Sequence, residues 1–360
     1  MIKIQEITNE AVWTNFFNEA GSISFHQSFE WGEFQKALNY DILRLGLYDN
    51  DKLESIFLVI KIRSRRGNFL FIPHGPLFML SKDRLAMEVP QEKKTLILQY
   101  LTFITTYLTD IARQEGFWFI RIAPSFSNTP QPAAIFKEAG FRTAPIYMHA
   151  ETMWAIDIRS SEEEILGGMR KNTRYDIRKG LKQGLIVNQS QSSSALDDFW
   201  NLYEKTFTRE HFTPFPKKYI SNEFNAFNRN QNATFFLGGT PPKSAQEGAS
   251  DILAASLVIF TKSCAFYHQG ASIHSTYPIP HQVQWQTILE AKRRGCQFYN
   301  LYGIYKPGRT PISWEGLSLF KRGFGGFQLD YLPTQDFIIS PKYCFSYCVD
   351  TYLAWRRGIK

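Results

Sequence analysis

Residues 91–122 read QEKKTLILQYLTFITTYLTDIARQEGFWFIRI and carry the pattern that decides the fold. Residues 91–114 predict one long helix, and the apolar run 117–122 predicts a strand directly after it. The same order recurs in the second half, where residues 283–294 predict a helix and residues 297–301 a strand. In both halves strand-rich segments precede the helix. They are residues 42–48, 53–62 and 69–73, and later residues 233–237, 252–260 and 264–268. We therefore predict a duplicated α+β unit with mixed sheets.

Composition is typical of a folded protein with more than one domain. The chain has 360 residues, of which 44% are hydrophobic and 21% are charged. This length suits two domains of roughly 150 residues each. The formal net charge of +8 favours polyanionic partners: nucleic acid, phosphorylated substrates or an anionic membrane face. Charge does not choose among these three.

The sequence predicts a cytoplasmic protein without a metal site. The start, MIKIQE, turns polar too soon for a secretory signal, and no stretch approaches the roughly 20 apolar residues of a spanning helix. The cysteines lack the paired spacing of zinc ligands, so we expect all of them to be reduced packing residues. They are Cys264, Cys296, Cys344 and Cys348.

The common catalytic signatures are missing. The sequence contains no P-loop, no G-x-G-x-x-G, no G-x-S-x-G and no H-E-x-x-H. An activity must then depend on positioning and electrostatics, acting on a substrate that is already activated. The aminoacyl ester of a tRNA is such a substrate.

A basic stripe lies in residues 169–182, MRKNTRYDIRKGLK. Arg170, Arg174, Arg178 and Lys182 recur every fourth residue, which places them on one face of a helix, and Lys171 adds a further cation. A solvated charged face usually carries acids at i+4, whereas only Asp176 interrupts this run. The pattern favours contact with a phosphate backbone.

Residues 314–326, WEGLSLFKRGFGG, form a second candidate segment. Lys321 and Arg322 lie between aromatic residues and precede glycines that allow close backbone approach. By itself the pattern is equally compatible with a tight strand entry that exposes its cations.

These segments, together with four others in the same order, resemble the FemABX family of peptidoglycan bridge-forming enzymes. Residues 27–36 resemble the family's Q-S-x-x-W-G-x-F-K-K, residues 72–76 its I-P-R-G-P, and residues 169–179 its M-[RK]-K-x-T-R-x-x-I-R-K. Residues 203–219 resemble Y-x-x-T-x-x-R-x-x-F-x-P-R-P-x-x-Y, residues 299–304 resemble Y-D-F-G-G-I, and residues 320–326 resemble F-K-R-G-F-G-G. The resemblance runs from about residue 25 to about residue 345.

The resemblance implies two tandem domains of the GNAT (acyl-CoA N-acyltransferase) fold with a cleft between them. The first domain would comprise residues 1–150 and be completed by residues 327–360, and the second would comprise residues 151–326. Residues 178–199 are too short and polar for the helical-hairpin arm of some members, which indicates the compact FemX-like branch. No CoA pyrophosphate loop is recognisable, so we expect aminoacyl-tRNA as co-substrate and no cofactor.

The resemblance also implies site residues. Lys36 and Arg209 match residues that hold the diphosphate of the precursor, a UDP-linked or lipid-linked muropeptide. Phe320 and Lys321 match a pair at the reacting end, where Lys321 would stabilise the oxyanion or the leaving ribose oxygen. Tyr267 matches a tyrosine that lines the cleft. Trp31 belongs to the first motif, residues 27–36, and we assign it to the substrate-binding residues.

The chain departs from the family pattern at several positions. Ala123 stands where some relatives carry an aspartate, Asn300 and Tyr302 replace Asp and Gly in Y-D-F-G-G, and Phe215 replaces a common arginine. We therefore expect the acceptor amine to lose its proton to the tRNA ribose or to water rather than to a protein carboxylate.

Two other functions stay open. A different GNAT-type N-acyltransferase would be protected by acetyl-CoA in a thermal shift. A basic module that binds RNA or a membrane surface would have no enzymatic activity. The substitution Lys321→Met would then have no activity to remove. The aromatic and basic tail, residues 341–360, fits either a packed helix with a basic end or contact with the inner membrane face.

Overall fold

The computed structural model describes residues 1–79, 89–210, 213–241 and 251–359. The chain divides into two compact units. Unit 1 comprises residues 1–153, 303–315 and 329–360, and unit 2 comprises residues 154–302 and 316–328.

The first sheet belongs to unit 1 and is mixed. Its strands are β1 (Ile2–Glu6), β2 (Asp41–Asp49), β3 (Lys52–Ser64), β4 (Gly67–Pro73), β5 (Leu77–Phe78), β6 (Phe119–Ala123), β7 (Arg142–Thr143) and β15 (Gln335–Ile338). They are ordered β1-β2-β3-β4-β6-β15-β7, with β5 beside β3, and β4 and β6 are parallel. The helices of this unit are α1 (Glu10–Ala20), α2 (Phe29–Ala37), α3 (Lys94–Glu115), α4 (Pro130–Glu138) and α11 (Tyr343–Arg356).

The long predicted helix is α3, which covers the core of the first sheet. Its apolar residues Ile97, Leu101, Ile104 and Leu108 recur at the three- and four-residue spacing of a helix and are buried in one cluster with residues of β4 and β6. The helix begins later than predicted, because residues 91–93 form a separate 3-10 turn. It ends at Gly116, whose φ of 75° lies in the left-handed region that glycine adopts readily.

The second sheet is also mixed. Its strands are β8 (Thr152–Asp157), β9 (Ile186–Ser190), β10 (Ala233–Gly239), β11 (Ile252–Phe260), β12 (Cys264–Ser272), β13 (Phe298–Gly303) and β14 (Phe327–Asp330), in the order β14-β8-β13-β12-β11-β10-β9. The accompanying helices are α5 (Glu162–Gly167), α6 (Lys171–Lys182), α7 (Ser194–Glu210), α8 (Lys217–Asn228), α9 (Ile279–Arg293) and α10 (Glu315–Gly323). Helix α9 is the crossover that makes β12 and β13 parallel. The prediction of a mixed α+β architecture is confirmed, and residues 183–193, between α6 and α7, contain β9 rather than a helical hairpin.

The segment after residue 329 is built into the first sheet. Strand β15 lies between β6 and β7 and is antiparallel to both. Arg121 of β6, whose side chain is 2% exposed, donates from Nε and Nη2 to the carboxylate of Asp336 on β15 at 2.7 and 2.8 Å. The same guanidinium lies 2.9 Å from Asp350 of α11, and the Tyr343 hydroxyl donates to Asp336 at 3.0 Å. This buried ion cluster ties β6, β15 and α11 together.

The cysteines are free, as predicted, but not all of them are packing residues. Cys264 and Cys296 are buried, whereas Cys344 and Cys348 are exposed on α11. The prediction that all four pack in a core is therefore wrong for the two cysteines of α11. Among the described helices, none is both long and apolar enough to traverse a bilayer.

We predict that Asp336→Asn strongly destabilises unit 1. The substitution leaves Arg121 buried with only part of its compensating charge, and breaking a buried pair costs about 3–5 kcal/mol. Urea unfolding should show this decrease. The control Asp197→Asn removes the carboxylate of an exposed pair with Lys217 and should change the stability by no more than about 1 kcal/mol. Equal effects of the two substitutions would contradict the central role of the cluster.

Candidate active site

Two neighbouring strands of unit 2 separate at their carboxyl ends. Strands β12 and β13 are parallel, but their pairing stops at Phe266 and Asn300. Residues 267–272 of β12 and residues 301–303 of β13 do not pair with each other. An opening at the carboxyl ends of parallel strands is a common place for ligands in sheets of this kind.

A β-bulge lies at the point where the strands separate. Leu257 of β11 faces Gln269 of β12, whereas the next residue, Val258, faces Tyr267. His268 is therefore an extra residue on β12. Bulges bend a strand and redirect its side chains, and they are frequent beside active sites.

His268 forms a polar pair with a buried acid. Its Nε2 lies 2.7 Å from Oε1 of Glu223 on α8, and the Glu223 side chain is fully buried. The other carboxylate oxygen, Oε2, has no hydrogen-bond partner among the described residues. A buried carboxylate is costly unless it is paired, so a buried acid joined to a histidine marks a candidate functional site.

Tyr302 packs against the same histidine. The two rings meet edge to face with centroids 5.3 Å apart. Tyr302 has a φ of 65°, a conformation that costs a tyrosine on the order of 1–3 kcal/mol and that glycine adopts freely. Its backbone N–H donates to Oδ1 of Asn300 at 2.7 Å. Asn300 and Tyr302, the two residues that depart from the family's Y-D-F-G-G, therefore belong to one turn. Burial, and secondly the charge of Glu223, raise the pKa of Tyr302.

Tyr267 and Arg209 lie at the carboxyl end of β12. The Tyr267 ring lies across Gly270, where a Cβ would come within 1.8 Å of the phenol oxygen. Burial raises the pKa of Tyr267 to about 12, so its hydroxyl stays protonated and able to donate. Arg209, in the last turn of α7, donates from Nη1 to the carbonyl of Ser272 at 2.7 Å and from Nε to Glu210 at 2.7 Å.

Lys321 is buried on α10, with 4% of its surface exposed. Burial lowers the pKa of its ammonium to about 7. Phe320 beside it is partly buried, and its ring lies edge-on to those of His281 and Phe324, with centroids 5.1 Å away in both cases. A cation in such dry surroundings interacts more strongly with a developing anion than it would in water.

The basic stripe forms part of α6 and its N-terminal cap. Arg170, Lys171, Arg178 and Lys182 are exposed. Arg174 is the exception, because it is partly buried and its Nη1 donates to the carbonyls of Gly167 and Met169. The opposite face of α6 is buried. The exposed cations thus share one side of the helix and remain available to an anion.

The start of α6 touches the end of α10. The Arg170 N–H donates to the carbonyl of Gly323 at 2.9 Å, and a Cβ on Gly323 would lie 2.6 Å from Oγ1 of Thr173. Two residues later a Cβ on Gly325, whose φ is 74°, would lie 2.6 Å from the carbonyl of Gly168. The glycines of F-K-R-G-F-G-G are therefore explained by close backbone approach, and Lys321 lies on the helix that meets the basic stripe.

Lys36 and Trp31 belong to α2 in unit 1. Lys36 is exposed, and its Nζ lies 3.0 Å from Glu33, which also binds Arg44 at 2.8 Å. Burial raises the pKa of Glu33, but the hydrogen bonds to these two cations outweigh burial and lower it overall. Trp31 is 2% exposed and is surrounded by the rings of Phe25, His26 and Phe34. The binding of substrate by Trp31 stays a prediction. The binding of a diphosphate by Lys36, and by Arg209 of unit 2, also stays a prediction.

Sequence reasoning missed His268 and Glu223. The two residues are 45 positions apart, in a strand and a helix, so no local spacing links them. A histidine inside a β-rich run was the single available signal, and it is weak.

We predict that Lys321→Met changes how stability depends on pH. The pKa of Lys321 is about 7 in the folded protein against an ordinary value of 10.5, so between these values the unfolded chain binds a proton that the folded chain does not. Wild-type stability should therefore rise with pH across this interval. The variant should lack this rise, so its stability relative to wild type should be greatest near pH 6 and decrease towards pH 10. Urea unfolding at several pH values would measure this difference in stability. Parallel plots of stability against pH for wild type and variant would contradict a depressed pKa of Lys321.

Comparisons with known proteins agree with this architecture. The family model of the FemAB family matches residues 8–131, 140–241 and 239–351. A crystal structure of FemX is similar with a TM-score of 0.81 and 17% identity, covering 95% of this chain and 99% of that one. L-PGS from Bacillus licheniformis is similar with a TM-score of 0.54 and 12% identity, covering 99% of each chain. A tandem GNAT protein from the clavulanic acid biosynthesis pathway is similar with a TM-score of 0.50 and 8% identity, covering 95% of this chain and 99% of that one.

The structural similarities establish the fold, and the family model establishes the family. The GNAT-like fold of the chain is shared with acyltransferases. By sequence alone the chain matches no curated protein. The family match nevertheless covers most of the residues from 8 to 351 and includes all six of the segments on which the resemblance rested. The chain therefore belongs to the FemAB family of peptidoglycan bridge-forming acyltransferases.

Proposed function

We propose that this protein transfers the aminoacyl group of an aminoacyl-tRNA to an amine on the peptide stem of a peptidoglycan precursor. The match to the FemAB family along nearly the whole chain carries the proposal. The reaction requires no metal or bound cofactor, because the ester of the tRNA is already activated.

Lys321 would act at the reacting carbonyl. The amine attacks the ester carbon, the C–N bond forms and the C–O bond breaks, and the ribose oxygen leaves as a hydroxyl that carries the proton lost by the amine, directly or through water. Burial lowers the pKa of Lys321 to about 7, so near neutral pH the side chain exists in both protonation states. Negative charge developing on an adjacent oxygen favours the charged ammonium, which in turn stabilises that oxygen.

The other cations would hold the two phosphate-bearing substrates. Arg209 is anchored at the end of β12 by the carbonyl of Ser272, and its guanidinium fork suits a diphosphate. Lys36 of unit 1 is an exposed cation and, by the family resemblance, matches a residue that holds a diphosphate. The exposed cations of the basic stripe suit the tRNA backbone, which they would bind without reading its sequence.

Helix α11 supports a lipid-linked precursor at the inner face of the cytoplasmic membrane. Phe345, Tyr352 and Trp355 are 55%, 55% and 72% exposed, and their spacing places them along one side of the helix. Lys342, Arg356 and Arg357 lie at the ends of the same helix and are exposed. Exposed aromatic rings flanked by cations fit the interface of an anionic bilayer.

We predict that the purified protein, given charged tRNA and either a UDP-linked or a lipid-linked muropeptide, lengthens the peptide stem by one amino acid. Mass spectrometry of the muropeptide would detect the product. Failure with every charged tRNA, together with protection by acetyl-CoA in a thermal shift, would point to another N-acyltransferase instead.

In the same assay the double variant Arg178→Gln/Lys182→Gln should raise the KM for tRNA. It should also flatten the slope of log affinity against log salt by about 0.7–0.9 for each phosphate that the variant no longer binds. The control Lys217→Gln/Lys218→Gln removes two exposed cations from α8 and lowers the net charge equally. Equal effects of the two double variants would show that α6 contributes only general charge.

We predict that the protein co-sediments with phosphatidylglycerol vesicles more than with phosphatidylcholine vesicles. Trp355→Ser should weaken this binding, because it removes the most exposed ring of α11. Ile312→Ser is the matched control, since Ile312 is 73% exposed and lies outside α11. Vesicle binding that is unchanged by Trp355→Ser, or absent, would contradict docking through α11.

A further inference from the structure

An exposed aromatic ring lies within the basic stripe and has no part in the function proposed above. We propose that Tyr175 of α6 is a stacking platform for an unpaired base at the 3′ end of the aminoacyl-tRNA, and that the cations beside it hold the flanking phosphates. This inference rests on the proposed aminoacyl transfer. It adds that α6 recognises single-stranded RNA at the end that carries the ester, rather than any stretch of phosphate backbone.

Tyr175 is the most exposed large hydrophobic side chain of unit 2 among the described residues, at 65%. Its neighbours on the helix surface are cations. Lys171 precedes it by four residues, Arg178 and Lys182 follow it by three and seven, and all three are exposed. At about 100° per residue these four side chains lie within about 60° of one another around the helix axis. An aromatic ring flanked by cations is therefore presented to solvent along one line of α6.

The acid of α6 does not oppose an anion on this line. Asp176 is the only acidic residue of the helix, and its Oδ2 lies 3.7 Å from Nδ1 of His281 on α9. It is also turned about 100° away from Tyr175 around the axis. A solvated helix face would carry acids that pair with its cations, whereas the line from Lys171 to Lys182 carries none. The charge of this line therefore favours a polyanion.

The ring of Tyr175 distinguishes among polyanions. A duplex would offer phosphates to the cations, but its paired and stacked bases leave no free face for a tyrosine. An unpaired base has such a face, and single-stranded RNA is commonly bound by aromatic rings that lie between cations. A membrane surface fits less well, because an interfacial helix inserts several apolar side chains, whereas Tyr175 is the single aromatic or apolar residue on this line.

Helix α6 is held firmly enough to present the ring. Its buried face packs against α9, where the side-chain amide of Gln282 donates to the carbonyl of Ile177. Gly180 permits this close packing, since a Cβ there would lie 2.6 Å from Cγ of Gln282. A platform that is already fixed loses little conformational entropy when a base stacks on it.

The position of the ring suits the end of the RNA that reacts. The start of α6 contacts α10 through the Arg170 N–H and the carbonyl of Gly323, and Lys321 precedes Gly323 by two residues on α10. Tyr175 follows Arg170 by five residues, which is about 7.5 Å along the axis of α6. An RNA end whose ester lies at Lys321 can therefore continue along α6 past Tyr175.

The test measures how the purified protein binds two fluorescently labelled RNAs, a short unpaired strand that ends in the CCA of tRNA and the same strand in a blunt duplex. Tyr175→Leu keeps a good helix former but removes the ring, and it should raise the Kd for the single strand about 5- to 100-fold. Tyr175→Phe keeps the ring and should bind within about 2-fold of wild type. Neither variant should change the Kd for the duplex by more than about 2-fold.

Salt dependence separates stacking from charge. Stacking releases no counterions, so Tyr175→Leu should leave the slope of log affinity against log salt unchanged. Arg178→Gln/Lys182→Gln should flatten this slope by about 0.7 for each phosphate of the single strand that is no longer bound. Tyr277→Leu is the matched control, because it removes another exposed tyrosine of unit 2 that lies outside α6. Its Kd for the single strand should equal that of wild type.

The transfer assay gives a second readout. Tyr175→Leu should raise the KM for charged tRNA by a similar factor and leave kcat nearly unchanged, because the ring binds the RNA and does not touch the ester. Wild-type binding and KM in this variant, or equal weakening of single-strand and duplex binding, would overturn the inference while leaving the aminoacyl transfer intact.

Two further outcomes are distinguishable from these. If Tyr175→Leu weakened binding to phosphatidylglycerol vesicles and left RNA binding unchanged, α6 would belong to a membrane contact and the inference would be wrong. No transfer by wild type with any charged tRNA would overturn the proposed function. Tighter binding of the single strand by Tyr175→Phe than by Tyr175→Leu would even then assign the ring to unpaired RNA.

Discussion

A guanidinium buried in the first sheet constrains the path of the whole chain. Arg121 is 2% exposed, and a charge in that position is tolerated only with opposite charges beside it. Both carboxylates, Asp336 and Asp350, come from the segment after residue 329. The chain must therefore leave unit 1 after β7, form most of unit 2, and return to place β15 beside β6. The discontinuous layout of the two units brings both carboxylates to this one side chain.

In unit 2 the comparable constraint is the separation of β12 from β13. Three local features accompany it: the extra residue His268, the left-handed Tyr302, and Gly270, which leaves room for the ring of Tyr267. Each of these features departs from regular strand geometry. Together they place a histidine, two phenols and the anchored Arg209 around the carboxyl half of one strand, whereas regular pairing to the end of β13 would have kept the two strands together.

Local patterns predicted the elements that are long or capped. Helix α3 followed from its periodicity, and α5 begins with a local signal of the same kind, the capping box of Ser161 and Glu164. The basic stripe also lies on a helix, although charge spacing could not foresee that Arg174 turns inward to bind carbonyls. Strand β15 has four residues and becomes recognisable only through its partners β6 and β7, so periodicity could not place it. The pairing of His268 with Glu223 arises from tertiary packing and leaves no trace in spacing.

The position of β15 has a consequence for synthesis on the ribosome. Strand β6 is complete at Ala123, but its partner begins only at Gln335. At about 5–20 residues per second, translation of the intervening stretch takes roughly 10–40 s. During that time the nascent first sheet has an unpaired edge and an uncompensated cation, and the contiguous residues 154–302 are synthesised. Unit 2 can thus assemble co-translationally before unit 1 closes, and the open edge of β6 is where chaperones have the most reason to bind.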